Sequence, residues 1–141
     1  LFVLSLMGLQ PPRRDSRLIG GLLLAGAASG VAFSGYLTYL EAAVIHANQM
    51  AAAQRSEHVI AGVPYPTLET RLQAVDYRFL NAAENIAWNQ RSAQEVVATW
   101  MGSSGHRRNI LDPQLTEMGA AMARSARGEP YWIQVFGQPR I

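Results

Sequence analysis

Trp100-Met101-Gly102-Ser103-Ser104-Gly105-His106-Arg107-Arg108-Asn109-Ile110-Leu111 is the stretch on which the fold of this chain turns. Just upstream, Ser92 and Glu95 have the three-residue spacing of a capping box, and Val96, Val97, Trp100 and Met101 follow at helical intervals. An amphipathic helix is predicted there, with Trp100 on its buried face. Gly102 and Gly105 are read as its stop. Ser103 and Ser104 beside His106 resemble a nucleophile and its base at first sight. They lack the Gly-x-Ser-x-Gly spacing of a strand-to-helix elbow, so Gly102 to Gly105 reads as helix-ending loop.

Working outward, Leu40, Ala43, Val44, Ala47, Met50 and Ala51 recur at intervals of three and four, which predicts an amphipathic helix over Leu40 to Gln54. His46 falls on the flank of that stripe and reads as a packing residue at the core's edge. Gly62, Pro64 and Pro66 make the stretch from Val59 to Pro66 irregular, which leaves His58 on a loop edge. Thr67 then reads as an N-cap with Glu69 in the first turn, and Leu68, Leu72 and Val75 form one buried face of a short helix ending near Asp76. Toward the other end, strand-like runs from Met118 to Arg124 and from Tyr131 to Gly137 flank Arg127-Gly128-Glu129-Pro130, a hairpin pattern. Tyr131, Ile133 and Val135 alternate with Trp132, Gln134 and Phe136, so both faces of the second strand carry bulky groups. Such a strand needs a layer above and a layer below.

The length of 141 residues is one domain's worth. Hydrophobic residues at 49% and charged residues at 16% describe an ordinary globular chain and argue against disorder. All 12 basic residues are arginines, scattered instead of forming a phosphate-binding stripe, and the net charge is only +2, so no nucleic-acid partner is expected. Without lysine there is no Schiff-base chemistry. Without cysteine there is no thiol catalysis, disulfide or thiolate metal site.

From Leu18 to Leu40 the chain carries no charge, directly after Arg13, Arg14 and Arg17. Two readings stay open. In one, residues 1–17 and the following apolar run form a secretory leader or membrane anchor, with a basic stretch from Arg13 to Arg17, an apolar run from Leu18 to Leu24, small residues around Ala25-Gly26-Ala27, and Met7 as a candidate start. In the other, Ser16 caps a helix over Leu18 to Ala28 that packs as the first helix of a domain spanning 18–141.

Four blocks taken in order, Leu40 to Met50, Ala83-Glu84-Asn85-Ile86-Ala87-Trp88, Trp100 to Leu111, and Tyr131 to Gly137, resemble the bacterial branch of the CAP family of cysteine-rich secretory, antigen 5 and pathogenesis-related proteins. The resemblance runs from about Leu37 to the end. It implies an α+β fold, a three-layer α-β-α sandwich around a largely antiparallel sheet, in an extracytoplasmic protein. It also implies a cleft in which two histidines and two acidic residues converge. His58 and His106 match the histidines, and Glu84 matches the glutamate of the family's Gly-Glu-Asn motif, with Ala83 in place of the glycine and a consequence for the local turn. The fourth position falls on Ser103, so the full set is absent, and Glu117 is the candidate to occupy some of that space.

On this resemblance His58 and His106 are the metal candidates, for Zn²⁺ or another divalent cation, and His58, Glu84, His106 and Glu117 are the cleft candidates. A hydrogen-bonded cluster bracing the cleft is the alternative. Two functions follow. A binding module would take a divalent cation, a small apolar ligand, a cell-wall component or a protein partner, with membrane contact only through the amino-terminal segment. A metal-assisted, peptidase-like hydrolase would use His58 and His106 to hold zinc and Glu84 to activate water.

Overall fold

The computed structural model describes residues 33–140. The expectations for a leader, an anchor or a first helix over Leu18 to Ala28 lie outside the described residues.

Helix α1 spans Phe33–Ala53. It begins before the predicted Leu40, since no charge or proline interrupts the chain between Phe33 and Leu40. Its buried positions, Ala42, Ala43, His46, Ala47, Met50 and Ala51, recur every fourth residue in pairs. Most are alanines, which lets the helix lie close on the sheet. Helix α2, Leu68–Ala74, starts at Thr67, whose hydroxyl accepts the Thr70 N–H at 3.3 Å while the Thr70 hydroxyl accepts the Thr67 N–H at 3.0 Å. Leu72 is its fully buried anchor.

Three strands follow in the order β1-β3-β2, all antiparallel: β1 is Phe79–Trp88, β2 Glu117–Arg124 and β3 Pro130–Pro139. The hairpin is confirmed. Strand β3 is central and buried from Pro130 through Gly137, as the bulky groups on both its faces require. Tyr131, Ile133 and Val135 meet α1 and α2 together with Ile86, while Trp132 meets Ala87, Val96 and Trp100 on the opposite face. The second helical layer consists of α3, Ala93–Gly102, and α4, Ser104–Leu111. The architecture is the three-layer α-β-α sandwich.

Several local readings are corrected. The stretch Ala83 to Trp88 lies in strand β1, so Ala83 occupies an extended position paired with Phe136 and not a turn. Trp100 is buried at 2% exposure and its indole N–H donates to the Ile86 carbonyl at 3.0 Å, but Val97, read as part of the same face, is 36% exposed. Trp88, at the end of β1, is 47% exposed, unlike the buried Trp100 and Trp132. Gly102 does end α3, yet the next residues are not loop. Ser103 adopts an extended conformation (φ −99°, ψ 125°) and serves both as the cap that ends α3 and as the N-cap of α4, its carbonyl accepting the Arg107 N–H at 2.8 Å. Gly105 is tolerated in the first turn, where propensity matters less than in a helix interior.

Candidate functional site

Glu84 points from β1 into the layer beneath α1 and α2. Burial favours its neutral acid, but it sits between a guanidinium and an imidazole. One carboxylate oxygen accepts from Arg71 Nη2 at 2.7 Å, and the other accepts from His58 Nδ1 at 2.9 Å. Burial alone raises the carboxyl's pKa; the His58 hydrogen bond and the positive charge of Arg71 outweigh it and hold the group below its ordinary 4.5. Glu84 is thus an ionised anchor with both oxygens engaged.

Arg71 is the partner that sequence reasoning missed. It is fully buried, its Nη1 donates to the Pro66 carbonyl at 3.1 Å, and its Nε has no partner. Burial lowers its pKa, opposed by Glu84. The signal was available: Arg71 falls on the same helical stripe as Leu68, Leu72 and Val75. An arginine in an apolar stripe asks for a buried carboxylate.

His46 is likewise fully inside, not at the core's edge. Its Nε2 donates to the Glu57 carbonyl at 2.9 Å, which ties α1 to the residue before His58, and its Nδ1 lies 3.1 Å from the Gln49 side-chain oxygen. Burial and then the Arg71 charge lower its pKa and keep it neutral. His58 itself is loop-borne, with a side chain 56% exposed. Its hydrogen bond to Glu84 raises its pKa and fixes the proton on Nδ1, leaving the Nε2 lone pair free.

His106 enters from the other layer, in the first turn of α4. Desolvation and then the positive charge of nearby His58 lower its pKa, so the two imidazoles feel each other. Its Nδ1 is buried with no partner. A buried amide cluster holds its backbone: Asn85 Nδ2 donates to the His106 carbonyl at 3.0 Å and to Gln134 Oε1 at 3.3 Å, and Asn85 Oδ1 accepts from Asn109 Nδ2 at 2.9 Å. Consecutive residues of one strand, Glu84 and Asn85, therefore position the two histidines from opposite faces of the sheet.

Glu117 stands apart. It opens β2, on the far side of β3 from β1, and its carboxylate accepts the Tyr77 hydroxyl at 2.8 Å, which together with burial pushes the Tyr77 pKa strongly up. Two strand spacings, roughly 10 Å, separate it from the strand that carries Glu84. Among the described residues no group of three or more His, Asp or Glu side chains is placed to hold a metal ion. The donors at hand are two imidazoles with unpaired nitrogens, one fewer than the three protein ligands of a catalytic zinc site. A catalytic zinc does not fit them.

An α-β-α sandwich around an antiparallel sheet in the order β1-β3-β2 defines the class. Residues 30–136 match the cysteine-rich secretory protein family, CAP, and the chain belongs to that family. Its relatives include the uncharacterized protein YkwD of Bacillus subtilis (strain 168), 43% identical over 58 residues, 41% of this chain and 21% of that protein. The uncharacterized membrane protein YlbC of the same organism is 32% identical over 96 residues, 68% of this chain and 26% of that one. The chain thus matches only about a quarter or less of these relatives' lengths. A solved structure of an extracellular SCP-domain protein from Bacillus anthracis str. Ames aligns with a TM-score of 0.62 at 27% identity, covering 72% of this chain and 32% of that one.

Proposed function

We propose that this domain is an extracytoplasmic binding module whose site, formed by His58, Glu84 and His106, takes its ligand without covalent chemistry. One observation carries this: both oxygens of Glu84 are engaged, and its carboxyl is held below its usual range. A general base works best with a pKa near the operating pH and a free oxygen aimed at water, and Glu84 has neither. What the site offers a ligand is the Nε2 lone pair of the neutral His58 ring and, on rotation of its ring, the buried and unpartnered His106 Nδ1. Those nitrogens suit a divalent cation held weakly, or a ligand with a hydrogen-bond donor. The exposed Val59, next to His58 in the chain, suits an apolar portion of the same ligand. An extracytoplasmic location is supported by the extracellular Bacillus anthracis neighbour.

The alternative, a metal-assisted hydrolase, draws support from the electrostatic effect of His58 on His106 alone. Calorimetric titration of the full chain with Zn²⁺ and Mn²⁺, in wild type and in His58→Ala and His106→Ala, separates the two. The binding module predicts a weak site lost in either variant and no hydrolysis of casein with metal present. Metal-dependent cleavage abolished by either substitution would establish the hydrolase instead.

A further inference from the structure

At the end of the sheet where β1 leaves and β3 begins, a cavity of about 280 Å³ is lined by Asn89, Arg91, Arg124, Arg127, Gly128 and Glu129, with Pro130 at its edge. Its frame is fixed. The Asn89 N–H donates to the Pro130 carbonyl at 2.9 Å with Asn89 at φ 77°, and the Trp132 indole N–H donates to the Gln90 carbonyl at 2.9 Å. Across the cavity the hairpin turn is closed by Ser125 N–H to the Glu129 carbonyl at 2.9 Å and Gly128 N–H to the Ser125 carbonyl at 2.9 Å. Arg124 Nη1 donates to the Gly128 carbonyl at 2.8 Å, which holds that guanidinium over the turn.

Three arginines share this rim, and among the described residues none of them forms an ion pair with a carboxylate. The neighbouring acids are committed elsewhere: Glu129 accepts the Ser125 hydroxyl at 3.2 Å, and Glu95 accepts the Arg91 backbone N–H at 2.8 Å. Like charges gathered without partners repel one another, so the arrangement favours an anion. Three arginines against the carboxylates of Glu129 and of Glu95, which is bonded to Arg91, leave an excess of one positive charge; the paired N–H donors of three guanidinium groups match the three acceptor oxygens of a phosphate monoester better than the two of a carboxylate. The volume lies near the lower end for small-ligand clefts and leaves room for the group that bears the phosphate.

We infer that this end of the sheet is a second site, independent of His58, Glu84 and His106, for the phosphate group of a small phosphate monoester. Calorimetry of the full chain with glycerol 3-phosphate, against inorganic phosphate and against sodium acetate at matched ionic strength, tests it. The Trp132 indole N–H resonance serves as a local reporter, since its acceptor Gln90 adjoins the cavity. Saturable binding of glycerol 3-phosphate that moves this resonance, is tighter than that of inorganic phosphate, and weakens at least about tenfold in Arg91→Ala/Arg127→Ala is expected. His58→Ala should bind it as wild type does. Far-ultraviolet circular dichroism checks that the double variant stays folded, and single Arg127→Glu gives the same reading with less change. Acetate binding as tightly as glycerol 3-phosphate overturns the phosphate assignment; inorganic phosphate binding equally well overturns the monoester. Loss of binding in His58→Ala, or retention in both arginine variants, overturns the site.

Discussion

On one side of β1, Glu84 carries a negative charge beneath α1 and α2; on the other, its neighbour Asn85 carries a neutral amide toward α4. The charge needs a buried guanidinium and a half-exposed imidazole to be tolerable there. The amide needs only other amides and a carbonyl, because it both donates and accepts. Both sides position a histidine, but by different means. On the Glu84 side an ion pair fixes the side chain of His58, while on the Asn85 side a hydrogen-bonded helix turn fixes the backbone of His106 and leaves its ring without a partner. Charge orients a ring; the amide cluster orients an element.

The comparison breaks most visibly if the charged side is unpaired. Arg71→Ala should destabilise the domain by about 3–5 kcal/mol in urea melts, because it strands Glu84 as a buried charge. Pairing Arg71→Met with Glu84→Gln should recover most of that loss, and simple addition of the two single losses would show that the residues do not act as a pair. Trp100→Ala should lose a similar amount, about 3–5 kcal/mol, for an unrelated reason, the cavity left on the α3 side. A change below about 1 kcal/mol would contradict the burial of that ring.

On the amide side the effect is smaller. Asn85→Leu removes the amide donor to the His106 carbonyl and leaves the Asn109 amide only its 3.5 Å contact with the Glu84 carbonyl, and should cost about 1–3 kcal/mol, again read from denaturation midpoints. It should also shift the His106 ring resonances while leaving those of His58 in place. Equal shifts at both rings would mean that the two sides are not independent.

The smallest effect is on pH dependence. His46 has a folded pKa below its ordinary 6.5, so its contribution is complete above that value and is lost as pH falls through the folded pKa. His58 is raised, so its contribution is complete below 6.5 and is lost as pH rises through its folded pKa. Stability measured from pH 7 downward should therefore fall less steeply in His46→Gln than in wild type. An identical slope would place His46 outside the acid response.

How much of this was legible in the sequence differs between the two sides for a physical reason. Trp100 and the capping at Ser92 are local patterns, readable from spacing along one helix, and so are Thr67 and the hairpin around Gly128. His58, Glu84 and His106 could be nominated by resemblance. The bonds that determine what they do join residues 13 to 26 positions apart, as in Arg71 with Glu84 and His58 with Glu84, and no local period encodes such pairs. Strand β1 escaped notice because Asn81, Glu84 and Asn85 break the apolar alternation that marks a strand, and two of those residues are the site's own polar supports. Glu117 was nominated to occupy some of the space of the acidic position that falls on Ser103, but it serves Tyr77. Helix α4, which follows Gly102, was hidden by Gly105, whose low propensity is offset by its place in the first turn and by the packing of Ile110.

A site built for binding on an ionised anchor is tested most directly by the titration of Glu84 itself. Carbon-13 NMR of the side-chain carboxyl in the full chain, followed from pH 8 to pH 2, should give a midpoint below 4.5, with the carboxylate fully ionised across the neutral range. A midpoint between about 6 and 7 would make Glu84 a group poised for proton transfer and would contradict the account.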